Sequence, residues 1–329
     1  MMINKTYYIP NCQLNIQTSD TFIYNSINYY FSIYNNIKFR SSKKFGTINL
    51  KINSNDENNE LTNLLKIVKL QNTPNFFVNS RFEIYRLSDF EYLITFYKDT
   101  CIAKINLLNK NIECYFDEPT KFGIDFIPNF IVIALIEILF KFENRFFIHS
   151  SAIEKNKKAV IIAGHSGSGK TTLAFYLMLN KYKLLTDDKA FVWWQNNKIK
   201  ISGLLQPTDI IKSKDKFLIN TNIIENIADK MTEDAKRFII TSFQSKKISD
   251  TAEPHILLFP QVSTKFKIEE LPKKQALLKL ISTSITPNFN IHLKEHFDIL
   301  NKIVENSYAY NILLDKNLDN VLKFLDNIN

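Results

Sequence analysis

Glycine is scarce in this chain, six in 329 residues, and three of the six fall in one window. That window reads Gly164-His165-Ser166-Gly167-Ser168-Gly169 and runs straight into Lys170-Thr171-Thr172. A sequence so sparing with glycine places it where the backbone must turn to positive φ or approach a ligand closely. The flanks narrow the fold further. An apolar run, Ala159 to Ala163, precedes the window, and Thr171 to Asn180 behind it carries helical spacing. Strand, tight glycine turn and helix together open an α/β unit, and the pattern G-x-x-x-x-G-K-T is that of a phosphate-binding loop.

The chemistry follows from the residue types. Successive backbone N–H groups over residues 166–171 can wrap a phosphate, because glycine lets the loop close without Cβ clashes. The helix that follows aims its positive end at the same anion. Gly164, Ser166, Gly167, Ser168, Gly169, Lys170, Thr171 and Thr172 are therefore the candidate nucleotide-binding residues. Lys170 would reach the β- and γ-phosphates, and the Thr171 hydroxyl would ligate Mg²⁺.

A second acidic signal lies close by. Tyr182 to Thr186 reads as a strand that delivers Asp187-Asp188, seventeen residues after Lys170. Neighbouring side chains on extended backbone face opposite ways. One carboxylate can then join Thr171 in a metal shell while the other takes a proton from an attacking hydroxyl. Transporter-type ATPases are excluded by the absence of L-S-G-G-Q. A guanine-specific N-K-x-D is also missing, since Asn301-Lys302 continues as Ile303-Val304.

The chain divides by pattern into residues 1–125 and 126–329. The first part reads as β-rich, with strands expected at Tyr29-Tyr34, Thr47-Lys51, Arg81-Tyr85, Tyr92-Tyr97 and Cys101-Leu107, and serves as a recognition or accessory domain. The second part opens with a buried helix, Phe130 to Phe142, and then strands Phe146-Ile153 and Ala159-Ala163. A hairpin at Ala190-Trp194 and Lys198-Ser202 follows the acidic pair. Helices are expected at Ile223-Ile240, Lys274-Ser282, Leu293-Glu305 and Leu318-Leu325, with strands at Ile256-Phe259 and Tyr308-Leu314.

Net charge is +9, but the lysines are isolated pairs such as Lys43-Lys44 and Lys246-Lys247, without an arginine-rich or aromatic-basic face. No nucleic-acid partner is expected. The most apolar stretch, Ile127 to Phe140, carries Glu137 and is too short for a span, so no membrane partner is expected either. Three cysteines without a C-x-x-C pair, and no leader pattern, fit a reducing cytoplasm.

Three segments together carry a family resemblance: Phe147-Ile148-His149-Ser150-Ser151-Ala152, the glycine loop through Thr172, and Leu184-Leu185-Thr186-Asp187-Asp188. With Leu257-Leu258-Phe259-Pro260 they make residues 128–329 resemble the catalytic domain of the HPr kinase/phosphorylase family, and more distantly the ATP-dependent phosphoenolpyruvate carboxykinases. The resemblance implies an α/β (α+β) P-loop kinase domain behind a β-rich N-terminal domain. It also implies ATP and Mg²⁺ as cofactors and a serine of a protein or peptide as acceptor. His149 enters as a site residue on this ground alone, beside Asp187, Asp188 and Lys170. The family's aspartate pair supplies a base and a metal ligand, and the two roles are not divided between Asp187 and Asp188. An arginine often follows the Phe-Pro pair in these relatives, where Gln261 stands here.

The expected function is thus an ATP- and Mg²⁺-dependent kinase that phosphorylates a hydroxyl. Two readings stay open beside it: a kinase of a sugar, amino acid or nucleoside, and a nucleotide-dependent regulatory module without turnover. A homo-oligomer is compatible with all three. The pattern His292-x-x-Glu295-His296 matches a zinc-peptidase motif but has no third ligand well downstream, so an exposed amphipathic helix is expected there. His165 reads as a spectator, and Trp193-Trp194 as packing.

Overall fold

The computed structural model describes residues 2–35, 37, 39, 46–54, 60–71, 76–79, 82–96, 100–211, 230–231, 237–240, 244–284 and 291–328. They form a mixed α/β protein of two compact units. One comprises Met1–Asn35, Arg40–Asn144 and Thr286–Leu293. The other comprises Asn36–Phe39, Arg145–Ile285 and Lys294–Asn329.

The first unit contains β1 (Ile3–Ile9), β2 (Cys12–Thr18), α1 (Thr21–Phe31), β3 (Thr47–Ser54), α2 (Glu60–Gln71), β4 (Phe76–Asn79), β5 (Phe82–Arg86), β6 (Glu91–Phe96), β7 (Cys101–Asn106), β8 (Asn111–Phe116) and α3 (Ile133–Phe142). Its eight strands run in the order β1-β2-β3-β8-β7-β6-β5-β4, parallel at β2/β3 and β3/β8 and antiparallel elsewhere. Period-two burial is plain in β2, where Cys12, Leu14 and Ile16 go inward and Gln13, Asn15 and Gln17 outward. α3 is entered through one wide turn, Ile127–Val132, in which the Ile133 N–H reaches back to the Pro128 carbonyl.

Tyr29-Tyr34, expected as a strand, instead ends α1 and continues as a tight helical turn, Ser32–Tyr34. The aromatic run has strand propensity, but tertiary burial overrides it. Asp20 caps the helix by accepting the Ile23 N–H, and Ile23, Ile27, Tyr30 and Phe31 fall on one buried face.

The second unit contains β9 (Phe146–Lys155), β10 (Lys158–Ala163), α4 (Lys170–Asn180), β11 (Lys183–Thr186), β12 (Lys189–Gln195), β13 (Lys198–Leu204), β14 (Thr208–Ile211), β15 (Lys230–Met231), β16 (Arg237–Ile240), β17 (Glu253–Val262), β18 (Lys267–Glu270), α5 (Lys273–Ser284), α6 (Leu293–Asn306), β19 (Tyr308–Leu314) and α7 (Asp319–Ile328). The main sheet runs β13-β12-β9-β10-β17-β19-β18, with β11 also on β9. Its centre, β10-β17-β19, is parallel. Both faces are covered, as parallel strands require. Ala159, Ile161 and Leu257 pack in a core with α5 and α6, while the alternate residues Val160 and Ile162 are buried as well. Of the helix expected over Ile223-Ile240, residues 223–229 and 232–236 lie outside the described residues. The rest is strand, β15 and β16.

The scarcity of glycine has a structural counterpart. Asn11, Asn144, Asn156, Asn196 and Asn197 all hold positive φ, so asparagine makes turns that glycine usually makes. Asn156-Lys157 joins β9 to β10 and Asn196-Asn197 joins β12 to β13, each with two consecutive positive φ values, the geometry that suits the strand twist of a two-residue hairpin.

Candidate active site

The glycine window lies at the C-terminal end of β10 and opens directly into α4. Gly167 and Gly169 take positive φ, +79° and +96°, which a side chain would strain. A Cβ on Gly164 would stand 2.9 Å from Ser168 Oγ, so this glycine is needed for close approach within the loop. The Ser168 N–H closes the turn on the His165 carbonyl at 3.2 Å. No side chain caps α4. Its first amides therefore remain available to an anion in front of the helix.

Lys170 folds back over this loop. Its Nζ donates to the carbonyls of Gly164 at 2.7 Å and His165 at 3.1 Å. The residue is only 7 % exposed, and burial holds its ammonium below its ordinary pKa against the opposing pull of Asp188 and Asp187. Ser168 Oγ is buried and has no partner among the described residues. An unpaired buried hydroxyl in a loop ringed with amides suits an acceptor such as a phosphate oxygen.

β11 and β12 both pair with β9, and Asp187-Asp188 is the link between them. Thr186 locks that link: its hydroxyl donates to the Leu204 carbonyl at 2.6 Å and accepts the Lys189 N–H at 3.1 Å. Gly203 makes room for it. A Cβ there would lie 2.3 Å from Thr186 Cβ and 2.7 Å from the Lys189 carbonyl.

Asp187 is 6 % exposed. The Ser151 hydroxyl contacts both its backbone carbonyl and, at 3.1 Å, its carboxylate. The Thr171 and Thr208 hydroxyls lie near enough to lower the carboxyl's pKa, while Thr208 donates to the Gln206 carbonyl at 3.1 Å. Burial and the neighbouring Asp188 charge push its pKa up to about 6, against the lowering effect of these three hydroxyls. Asp188 behaves oppositely. Burial would raise it, but the hydrogen bond from His149 Nδ1, at 2.9 Å, and the charges of His149, Lys189 and Lys170 hold it below the usual carboxylate range.

Two stretches of sequence thus meet: the Thr171 hydroxyl of the glycine loop lowers the pKa of Asp187 in the acidic turn, and Lys170 senses both carboxylates. His149 and Ser151, two apart on β9, serve Asp188 and Asp187 respectively. Ser166 and His165 are exposed on the loop, and Thr172 is half-buried in the first turn of α4. On the other side of the loop, a cleft of about 560 Å³ runs along Phe259–Val262 of β17 and Asn311–Leu313 of β19, with Lys267 and Lys279 in its wall.

Sequence reasoning missed Thr208 and Gly203. Thr208 stands far from any motif and has no local signal. Gly203 is legible only once β13 is known to lie against the acidic turn. Ser151 had a signal, its period-two spacing from His149. The H-x-x-E-H segment leads into an amphipathic helix, α6, as expected, but His296 lies on its buried face, 2 % exposed and stacked on Phe146 at 4.8 Å. Among the described residues no group of three or more His, Cys, Asp or Glu is placed to hold a metal, and no helix is long and apolar enough to cross a membrane. Trp193 is buried and Trp194 half-exposed.

No family model and no curated protein matches the chain. Among solved structures, the HPr(Ser) kinase/phosphatase from Coxiella burnetii is similar over 51 % of this chain and 85 % of that one, with 13 % identity and a TM-score of 0.24. A superposition that loose carries no functional argument, and the site stands on its own geometry.

Proposed function

We propose that the chain is an ATP- and Mg²⁺-dependent phosphotransferase acting on a hydroxyl, most simply a serine of a protein or peptide. The observation that carries this reading is Lys170 folded over an uncapped helix start, with both aspartates acting on its ammonium and the Thr171 hydroxyl near enough to Asp187 to lower its carboxyl pKa. A magnesium ion is ordinarily held by one or two carboxylates, a hydroxyl and the phosphates of its nucleotide, and Thr171 with Asp187 is such a donor set. The unpaired Ser168 hydroxyl fits the same assignment.

On this reading the two carboxylates have separate roles. Asp187, against Thr171, belongs to the metal shell, where the ion would neutralise charge on the β- and γ-phosphates. Asp188 faces outward with His149 and takes the proton of the attacking hydroxyl. Their side chains are 28 % and 40 % exposed, so the acceptor side opens to solvent rather than to an enclosed chamber, which supports a macromolecular acceptor. Lys170 would exchange its two carbonyl partners for phosphate oxygens, and the loop amides would complete the cradle. Positioning and charge compensation supply most of the catalysis in such a reaction.

Incubation with γ-labelled ATP, Mg²⁺ and cell extract tests the reading. Label should enter a polypeptide, and Lys170→Ala should abolish it. Label in small metabolites alone would overturn the peptide acceptor, and absence of both nucleotide binding and label would overturn the kinase.

A further inference from the structure

The first unit carries an arrangement that the phosphotransfer reading does not use. On one face of its sheet, residues in register across successive strands form a polar row: Thr6, Asn15, Asn49, Asn111, Asn106 and, at the far end, Glu91. The row is hydrogen-bonded through its side chains. Thr6 Oγ1 donates to Asn15 Oδ1 at 2.9 Å, Asn15 Nδ2 to Asn49 Oδ1 at 3.0 Å, and Asn49 Nδ2 to Asn111 Oδ1 at 3.0 Å. One step along the strands a second row, Asn4, Gln17, Lys51 and Glu113, stands parallel to it. Together they floor a shallow cavity of about 490 Å³, within the ordinary range for ligand sites. Elsewhere on the sheet α2 supplies cover, with Leu64 and Val68 packed on Leu93 and Ile102. Thr6, Asn49, Asn111 and Glu113 are exposed.

We propose that this face is a binding site for a neutral oligosaccharide lying across the strands. Cross-strand amide pairs stabilise a sheet modestly on their own account, but this row does more than that, because it spends only part of each amide. An asparagine side chain has two N–H donors and two acceptor lone pairs. After the contacts above, Asn49 retains one N–H and one lone pair, and Asn111 two N–H groups and one lone pair. These groups repeat at the strand spacing of about 4.8 Å, which is close to one sugar ring per strand. Their rotamers are already fixed by their neighbours, so binding orders little. The first row holds no charged group until Glu91, so it offers a polyanion no cation of its own. Glu113 on the second row can accept from a pair of adjacent hydroxyls. Tyr8, 46 % exposed and two residues from Thr6 on the same face, offers a ring for the apolar side of a sugar.

Calorimetric titration of the full chain with cellohexaose, chitohexaose and mannohexaose at up to millimolar concentration tests the site. Saturable binding of at least one is expected, weakened about tenfold or more by Asn49→Ala and again by Asn111→Ala, with thermal unfolding of both variants confirming that the sheet is intact. Failure of all three hexasaccharides to bind would overturn the proposal. So would binding that both variants leave unchanged, or a preference for sulfated dextran abolished by Lys51→Gln. None of these outcomes depends on ATP, so the phosphotransfer reading stands or falls separately.

Discussion

Asp187→Asn should stabilise the chain at neutral pH while abolishing the transfer activity proposed above. The carboxyl is buried and its pKa rises from 3.8 to about 6, first through burial and then through the Asp188 charge. Because the folded value stands above the unfolded one, the native chain holds a proton between about pH 4 and pH 6 that the unfolded chain has released. This group's stabilising contribution is complete below about pH 4 and is lost as pH rises through about 6. A rise of about two units corresponds to about 3 kcal/mol. Asparagine keeps the shape and cannot ionise, so wild-type stability should fall relative to the variant by up to that amount between pH 4 and pH 8. Some of the gain is offset because the amide accepts less well from Ser151 and loses the favourable influence of the Thr171 and Thr208 hydroxyls. Urea unfolding at a series of pH values, with a chelator to remove divalent ions, measures the difference. Both tryptophans, Trp193 and Trp194, lie on β12 in the same unit as Asp187, so their fluorescence reports the relevant core. A stability difference that stays flat from pH 4 to pH 8 would refute the argument that Asp187 is an ionised group held against its solvation. Transfer with Mg²⁺ should meanwhile drop by about 10²-fold or more, as expected when an electrostatic element of a phosphoryl-transfer site is removed.

Gly203→Ala should cost about 3 kcal/mol, the upper end for overpacking, because its Cβ would meet Thr186 and the Lys189 backbone rather than a yielding side-chain tip. Urea unfolding checks this, and a cost under about 0.5 kcal/mol would show that the acidic turn is not wedged against β13. His149→Ala removes the hydrogen bond that holds Asp188 below the carboxylate range, so the acid limb of the pH–transfer profile should move to higher pH. An unmoved limb would mean that Asp188 does not depend on His149.

The glycine loop was legible because its information is local. Positive φ at Gly167 and Gly169 and the lysine directly behind them are properties of nine consecutive residues. The same holds for most of the second unit's elements, whose apolar runs of strand and helix length keep their character once the sheet closes. β1, β2 and β8 were missed since most of their outward residues are polar, such as Asn4, Thr6, Gln13, Asn15, Asn111 and Glu113, which read as loop when counted singly. They become strands because the inward residues, Leu14 and Ile16 among them, have a core to enter.

By itself, then, the sequence determined that a glycine turn with a lysine behind it opens into α4 and that two adjacent carboxylates follow closely in the chain, because backbone sterics and side-chain chemistry act over a few residues. Only the tertiary structure decided how these pieces act on one another. It set Thr171 against Asp187 and His149 against Asp188, and it brought Thr208 and Gly203 to the acidic turn from segments with no motif. Burial is a property of the assembled core, and burial separates two adjacent aspartates into one with a raised pKa and one with a lowered pKa.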